Sequence, residues 1–223
     1  NGDASTCCGP IGVSVGLLRQ GEAVNGQAYL GVSESNLLFL GYPDSYLSTI
    51  YALFPNANQV LTTSWGQSTT YASRGLGNTD WHTHHTASAA NYNAANIPGD
   101  LPSILETYRP DDVYTTAEFD THTDHSTTYN FVKQAIAQAT TADGTYRPIL
   151  HRSVVHRPGP VSAWPGSASP QTPFTSPDLV GTSVTWQGRE DVAVPLAMQN
   201  TDLSVNPKAL AIATHGSQGG IPS

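Results

Sequence analysis

Residues 118–127, "EFDTHTDHST", hold two histidines and three acids in ten positions. His122 and His125 are three apart, with Asp120 and Asp124 interleaved. Imidazole and carboxylate are the ordinary ligands of a catalytic zinc, which takes three protein ligands and keeps one position open. Residues three apart reach one point from a tight turn or from the first turn of a helix. The same side chains would also make a polar turn that caps the following helix, with Asp124 or Ser126 as the cap. Spacing alone leaves both readings open, and both can hold at once. A second cluster lies in "DWHTHHTASAANYN" (80–93). His82 and His84 would share a face if that stretch were extended. The neighbouring Trp81 and Tyr92 would either stack on a sugar ring or pack locally.

The elements that must position these groups can be read from periodicity. Residues 15–32 carry Leu17, Leu18, Ala23, Ala28 and Leu30 at helical spacing, with Gly31 as a stop. "NLLFLGYPD" (36–44) predicts a short buried strand, so that helix and strand make half of a βαβ unit. Residues 55–100 are rich in Asn, Thr, Ser, Gly and Tyr, a length of irregular chain expected to be functional or poorly ordered. Residues 99–141 are better organised. A helix capped by Asp100, with Pro102 early and Leu101, Ile104, Leu105 and Tyr108 on its apolar face, ends at Pro110. "DVYTTA" (112–117) predicts a strand, and residues 126–139 a helix. The histidine loop lies between them, at the carboxyl end of the strand, where ligands bind in parallel sheets. Further strands are expected over 147–156 and 182–187, and a short helix over 206–218 that ends at His215-Gly216.

Bulk properties narrow the function. The 223 residues suit one large domain. Only 12% are charged, the net charge is −8 and the pI is near 5.3. A general nucleic-acid binder or a polybasic membrane anchor would need the opposite sign. No apolar run approaches the roughly 18–20 residues that span a bilayer. The lysine-poor, Ser/Thr-rich composition points to an exported protein. Cys7 and Cys8 are the only cysteines, too few for a four-cysteine zinc site. They suit a turn before Gly9-Pro10, or a vicinal or upstream disulfide. Residues 158–177, with six of the 16 prolines, read as an irregular excursion.

"FLGYPDSYL" (39–47), "YRPDDVYTTAEFDTHTDH" (108–125) and "KALAIATHGSQ" (208–218), in this order, resemble motifs of the PIG-L/LmbE-like N-deacetylases. "YRPDDVYTTAEFDTHTDH" (108–125) is similar to the family's second motif, with Thr123 where proline is common. "NGD" (1–3), Arg19 and Glu22, "LGV" (30–32), "FLGYPDSYL" (39–47) and "KALAIATHGSQ" (208–218) extend the likeness over most of the chain. The resemblance implies a Rossmann-like α/β three-layer sandwich with a mostly parallel sheet, as a single domain over 1–223. Residues 50–98 and 158–181 would be loop insertions. It implies a zinc-dependent deacetylase that hydrolyses the acetamide of an N-acetylglucosamine-type sugar or glycoconjugate.

Carried over residue by residue, His125 is the metal ligand and His122 the group beside the scissile amide. Asp124 orients His122, and His215 lines the pocket. Asp44, Trp81, His82 and Tyr92 are candidate substrate contacts. For His215 an ordinary helix-end histidine remains open, for Asp44 a turn-stabilising carboxylate, and for Arg19 and Glu22 a helix-surface pair.

One departure matters. The family's "HPDD" motif, source of its other zinc ligands and of the base, occurs nowhere in this sequence. Either the first strand and helix lie outside this sequence, making the domain N-terminally incomplete, or the protein is a noncatalytic carbohydrate-binding or assembly relative. A zinc amidase acting on a non-sugar amide is the third alternative.

Overall fold

A computed structural model describes residues 12–156 and 193–219, and its single sheet among these is a parallel pair. Asp112–Thr116 (β1) runs beside Ile149–Ser153 (β2), in register from Asp112 with Ile149 to Thr116 with Ser153. Both strands were expected. Parallel pairing requires a crossover, supplied here by a helix, and delivers both chain exits to the same end. The mixed helix and parallel-strand architecture is compatible with an α/β PIG-L fold. Residues 1–11, the proline-rich excursion, residues 158–181 and the strand expected over 182–187 lie outside the described residues.

The described chain forms two units, Asn1–Asp100 with Ala193–Ser223, and Leu101–Val192. In the second unit, helix Ile97–Tyr108 (α4) from Leu101 onward and helix Thr123–Ala142 (α5) share one apolar cluster with Val113 of β1. Leu105, Ala135, Ala139 and Tyr146 are the buried core, extended by Leu101, Val113 and Ile136. Alanines on α5 let the helix lie close to its neighbours. An apolar cleft of 310 Å³ lined by Leu101, Ile104, Leu105 and Val132 opens beside β1. It contains no histidine and is separate from the chemistry described below.

The first unit contains Gly12–Tyr29 (α1), Leu47–Ala52 (α2), Trp81–Thr86 (α3) and Pro207–Ala213 (α6). The buried face of α1 is Gly12, Gly16, Gln20, Val24 and Gly26, not the leucine face expected, and Leu18 is 55% exposed. Small residues win because rings and backbone approach at van der Waals distance: Trp65 lies against Gly12, Tyr71 against Gly16, and Thr214 and His215 against Gly26. Gly31 ends the turn as expected, at φ +83°.

The strand expected over 36–44 does not form. Its carbonyls accept from other donors instead, Phe39 O from the Trp81 N–H (2.9 Å) at the start of a helix and Gly41 O from the Tyr92 hydroxyl (3.1 Å). Residues 55–100, expected to be functional or poorly ordered, are ordered by their own polar side chains. Tyr92 is fully buried and links Leu61 and Ser68 through its backbone. Buried Asp80 caps α3 by accepting from the Thr83 N–H (3.0 Å) and hydroxyl (2.6 Å), and from Thr70 (3.1 Å).

Helix α6 starts at a buried Asn206, whose Oδ1 accepts from the N–H groups of Lys208 and Ala209. Its Nδ2 donates to Met198 and Asn200 carbonyls at 2.9 and 2.8 Å. Asn206→Ala should therefore lower unfolding stability by roughly 1–3 kcal/mol, more than a cap alone, because two carbonyls lose their donor. Denaturant unfolding checks this; a loss within error of zero would show that α6 does not depend on its cap.

At the far end of α5, the Asp143 carboxyl is held down to about 2 by the Thr145 hydroxyl and N–H, and by Arg109 at 2.9 Å. A folded value below the ordinary 3.8 means the stabilisation is complete above that pH and is lost as the pH falls through about 2. The Tm gap between wild type and Asp143→Asn should be small, since the pair is half exposed, present near neutral pH, and gone at about pH 2. A gap constant through the acid range would contradict this assignment.

Candidate functional site

The histidine loop leaves β1 through buried Ala117 and arrives at α5 six residues later. The cap differs from expectation: α5 begins at Thr123, so neither Asp124 nor Ser126 caps it. His122 does, with Nδ1 accepting from the Asp124 N–H at 3.3 Å. Thr116, the last residue of β1, donates its hydroxyl to the His125 carbonyl at 2.7 Å, tying the first turn of α5 to the strand.

Asp120 organises the rest. Its carboxylate is fully buried and accepts from the His122 N–H (3.0 Å), the Val155 N–H (2.8 Å) and the His156 N–H (2.9 Å). Thr121 reinforces this by donating its N–H and hydroxyl to the His156 carbonyl at 2.9 and 3.0 Å. Burial alone would raise the Asp120 carboxyl, but the N–H groups of His156, His122 and Val155, with His125, outweigh it and hold the value below the usual range. Because β1 and β2 are parallel, residues just past both strand ends meet here, and His156 joins the cluster. The sequence reading did not select His156. The signal available was its place as the last residue of the strand expected over 147–156, three residues beyond the observed end of β2.

Three rings gather over this carboxylate. Centroids of His122 and His125 are 4.7 Å apart, of His125 and His156 4.9 Å, and of His122 and His156 5.4 Å. His125 Nδ1 is 3.3 Å from Asp120 Oδ2 and 3.3 Å from His156 Nδ1, which is 3.7 Å from Asp120 Oδ1. Ligand atoms of Asp120, His125 and His156 all lie within 4.8 Å of one another. Two imidazoles and a carboxylate are a donor set suited to zinc and other borderline divalent ions, so this group fits a metal ion. Asp124 is fully buried under the first turn of α5, and its observed link to His122 is through its backbone N–H.

The remaining candidates lie in the first unit. His82 sits on α3, a helix, so it and His84 do not share the face that an extended chain would give. His82 Nδ1 is 2.6 Å from Asp100 Oδ1, and the Tyr42 hydroxyl donates to Asp100 Oδ2 at 3.0 Å. Asp100 was expected to cap α4, but that helix begins at Ile97 and Asp100 turns inward to these partners. Burial raises the Asp100 carboxyl although His82 and Tyr42 oppose it. Burial and the nearby Asp100 also push the Tyr42 hydroxyl far above its ordinary value.

Trp81 and Tyr92 are buried at 3% and 0% exposure, which is the packing alternative for that pair. Asp44 lies half-buried in the turn before α2. His215 precedes a 3₁₀ turn, Gly216–Gln218, and its Nε2 packs toward Gly26. Glu22, expected as a helix-surface pair with Arg19, instead accepts from the Ser217 N–H (2.7 Å) and hydroxyl (2.6 Å). Burial works against the Glu22 charge, but Ser217, His215 and Arg19 together lower its carboxyl.

No curated protein and no solved structure gives a significant match to this chain. Residues 1–136 match the PIG-L family, described as GlcNAc-PI de-N-acetylase. That segment contains Asp120, His122, Asp124 and His125, and the family points to deacetylase-type hydrolysis. With more than half its length matched and the motif histidines gathered at the ends of two parallel strands, the chain belongs to the PIG-L family.

Proposed function

We propose that this protein is a zinc-dependent N-deacetylase that hydrolyses the acetamide of an N-acetylglucosamine-type sugar or glycoconjugate. The observation that carries this reading is the meeting of His122 with the Asp120–His125–His156 group, at ring separations of 4.7 and 5.4 Å.

Asp120, His125 and His156 would hold the ion, which when bound polarises an amide carbonyl and lowers the pKa of water. Asp120 serves as ligand and clamp rather than proton carrier, because its N–H donors favour the ionised form. His122 moves the proton. Its Nδ1 is engaged by the Asp124 N–H, so the neutral ring carries its proton on Nε2. That N–H can stabilise the developing oxyanion; to protonate the departing amine the ring must first gain a second proton, on Nδ1, and release the cap. Asp124 thus positions His122 through the helix cap, and its buried carboxylate sits where the α5 N-terminus favours negative charge.

For recognition of the sugar we assign His82, held by Asp100, and Asp44, both only partly buried. Trp81 and Tyr92 support these loops from inside. His215, anchored near Glu22, is assigned to the pocket lining. Export of the protein belongs to the same reading, and among the described residues no helix is long and apolar enough to cross a membrane.

His122→Ala should cut acetate release from N-acetylglucosamine substrates by about 10²–10⁴-fold while sparing bound zinc. His125→Ala should lose both metal and activity. Substrates with a simple acyl amide in place of the sugar should turn over poorly; the reverse preference would favour a non-sugar amidase. Zinc-loaded wild type that binds these sugars but releases no acetate would replace this reading with a noncatalytic carbohydrate binder.

A further inference from the structure

The structure assigns His156 as a metal ligand of this chain, completing with His125 and Asp120 a three-residue site for one zinc-like divalent cation. Both histidines bind through Nδ1. His156 lies beyond the residues that match the family, 1–136, in the segment that leaves β2.

Donor spacing is the first argument. Tetrahedral coordination at about 2.0–2.1 Å places neighbouring donors about 3.3–3.4 Å apart. The two Nδ1 atoms are 3.3 Å apart, and His125 Nδ1 is 3.3 Å from the Asp120 carboxylate. His156 Nδ1 is slightly farther from that carboxylate, at 3.7 Å. Two imidazole nitrogens facing each other beside a carboxylate must share a cation or a proton, because their lone pairs otherwise oppose.

Preorganisation is the second argument. Asp120 is locked by three backbone N–H groups, two of them from Val155 and His156 themselves. The same contacts set the position of the His156 backbone, so no large rearrangement is needed to bring its ring to the site. The competing arrangement is a single hydrogen bond between the two imidazoles, with no metal.

The site shares its histidine loop with the hydrolytic reading but does not require it. The test uses the full chain, stripped with a chelator and titrated with zinc against a chromophoric competitor. His156 is 53% exposed, so its replacement removes a ligand without opening the core; circular dichroism checks this. His156→Ala should weaken zinc binding by more than about 100-fold, since loss of even an outer partner costs about 10–100-fold. His151→Ala, on β2 itself, should leave affinity unchanged. In the Co²⁺-loaded protein, His156→Cys should introduce a thiolate-to-cobalt charge-transfer band. Zinc lost from His156→Ala supports the site even in a protein that releases no acetate, an outcome that would sink only the hydrolytic reading. Wild-type affinity in His156→Ala, or no new band in His156→Cys, overturns it even in an active deacetylase.

Discussion

A carboxylate with no solvent exposure, Asp120, holds together the ends of two parallel strands. Removing a charge from water is costly unless hydrogen bonds replace the lost hydration. Three backbone N–H groups do so here, one from the β1 exit and two from the β2 exit. Each would otherwise be an orphan donor in an irregular segment. The mutual need of charge and donors brings His122, His125 and His156 over one point.

Around that clamp the histidines divide the work by which ring nitrogen is engaged. His122 spends Nδ1 on the helix cap, which leaves Nε2 as its outward-facing donor. His125 and His156 turn Nδ1 toward each other and toward Asp120. Identical side chains therefore suit proton transfer in one case and cation binding in the others. The apolar cleft beside β1 contains none of these groups.

The first unit solves a different problem with the same low-charge composition. It lacks a strand ladder among the described residues, so side-chain oxygens do much of the work of satisfying its backbone. Asp80, Asn93 and Asn206 each accept from two or more nearby donors or N–H groups. Glycines on α1 admit Trp65 and Tyr71 directly against the helix backbone. Long runs of Ser, Thr, Asn and Gly, which resemble disorder in composition, here encode local hydrogen bonding.

Much of the local structure was legible from sequence. Period and turn residues placed α1, α4, β1, α5, β2 and α6, and the motif order through residue 125 carried the family. Burial faces were not legible: on α1 the buried positions are mostly glycines, which periodicity cannot distinguish from spacers. The strand expected over 36–44 failed because strand formation needs a partner ladder, and the partners available were the first N–H of α3 and a tyrosine hydroxyl.

For the site, sequence by itself determined His122, Asp124 and His125 as one chemical group, because their spacing and motif are local. Only the tertiary structure decided that His122 caps the helix and that Asp120 is a buried clamp. It alone brought in His156, 31 residues beyond His125. That contact depends on the parallel register of β1 and β2, a nonlocal choice that no short-range pattern specifies.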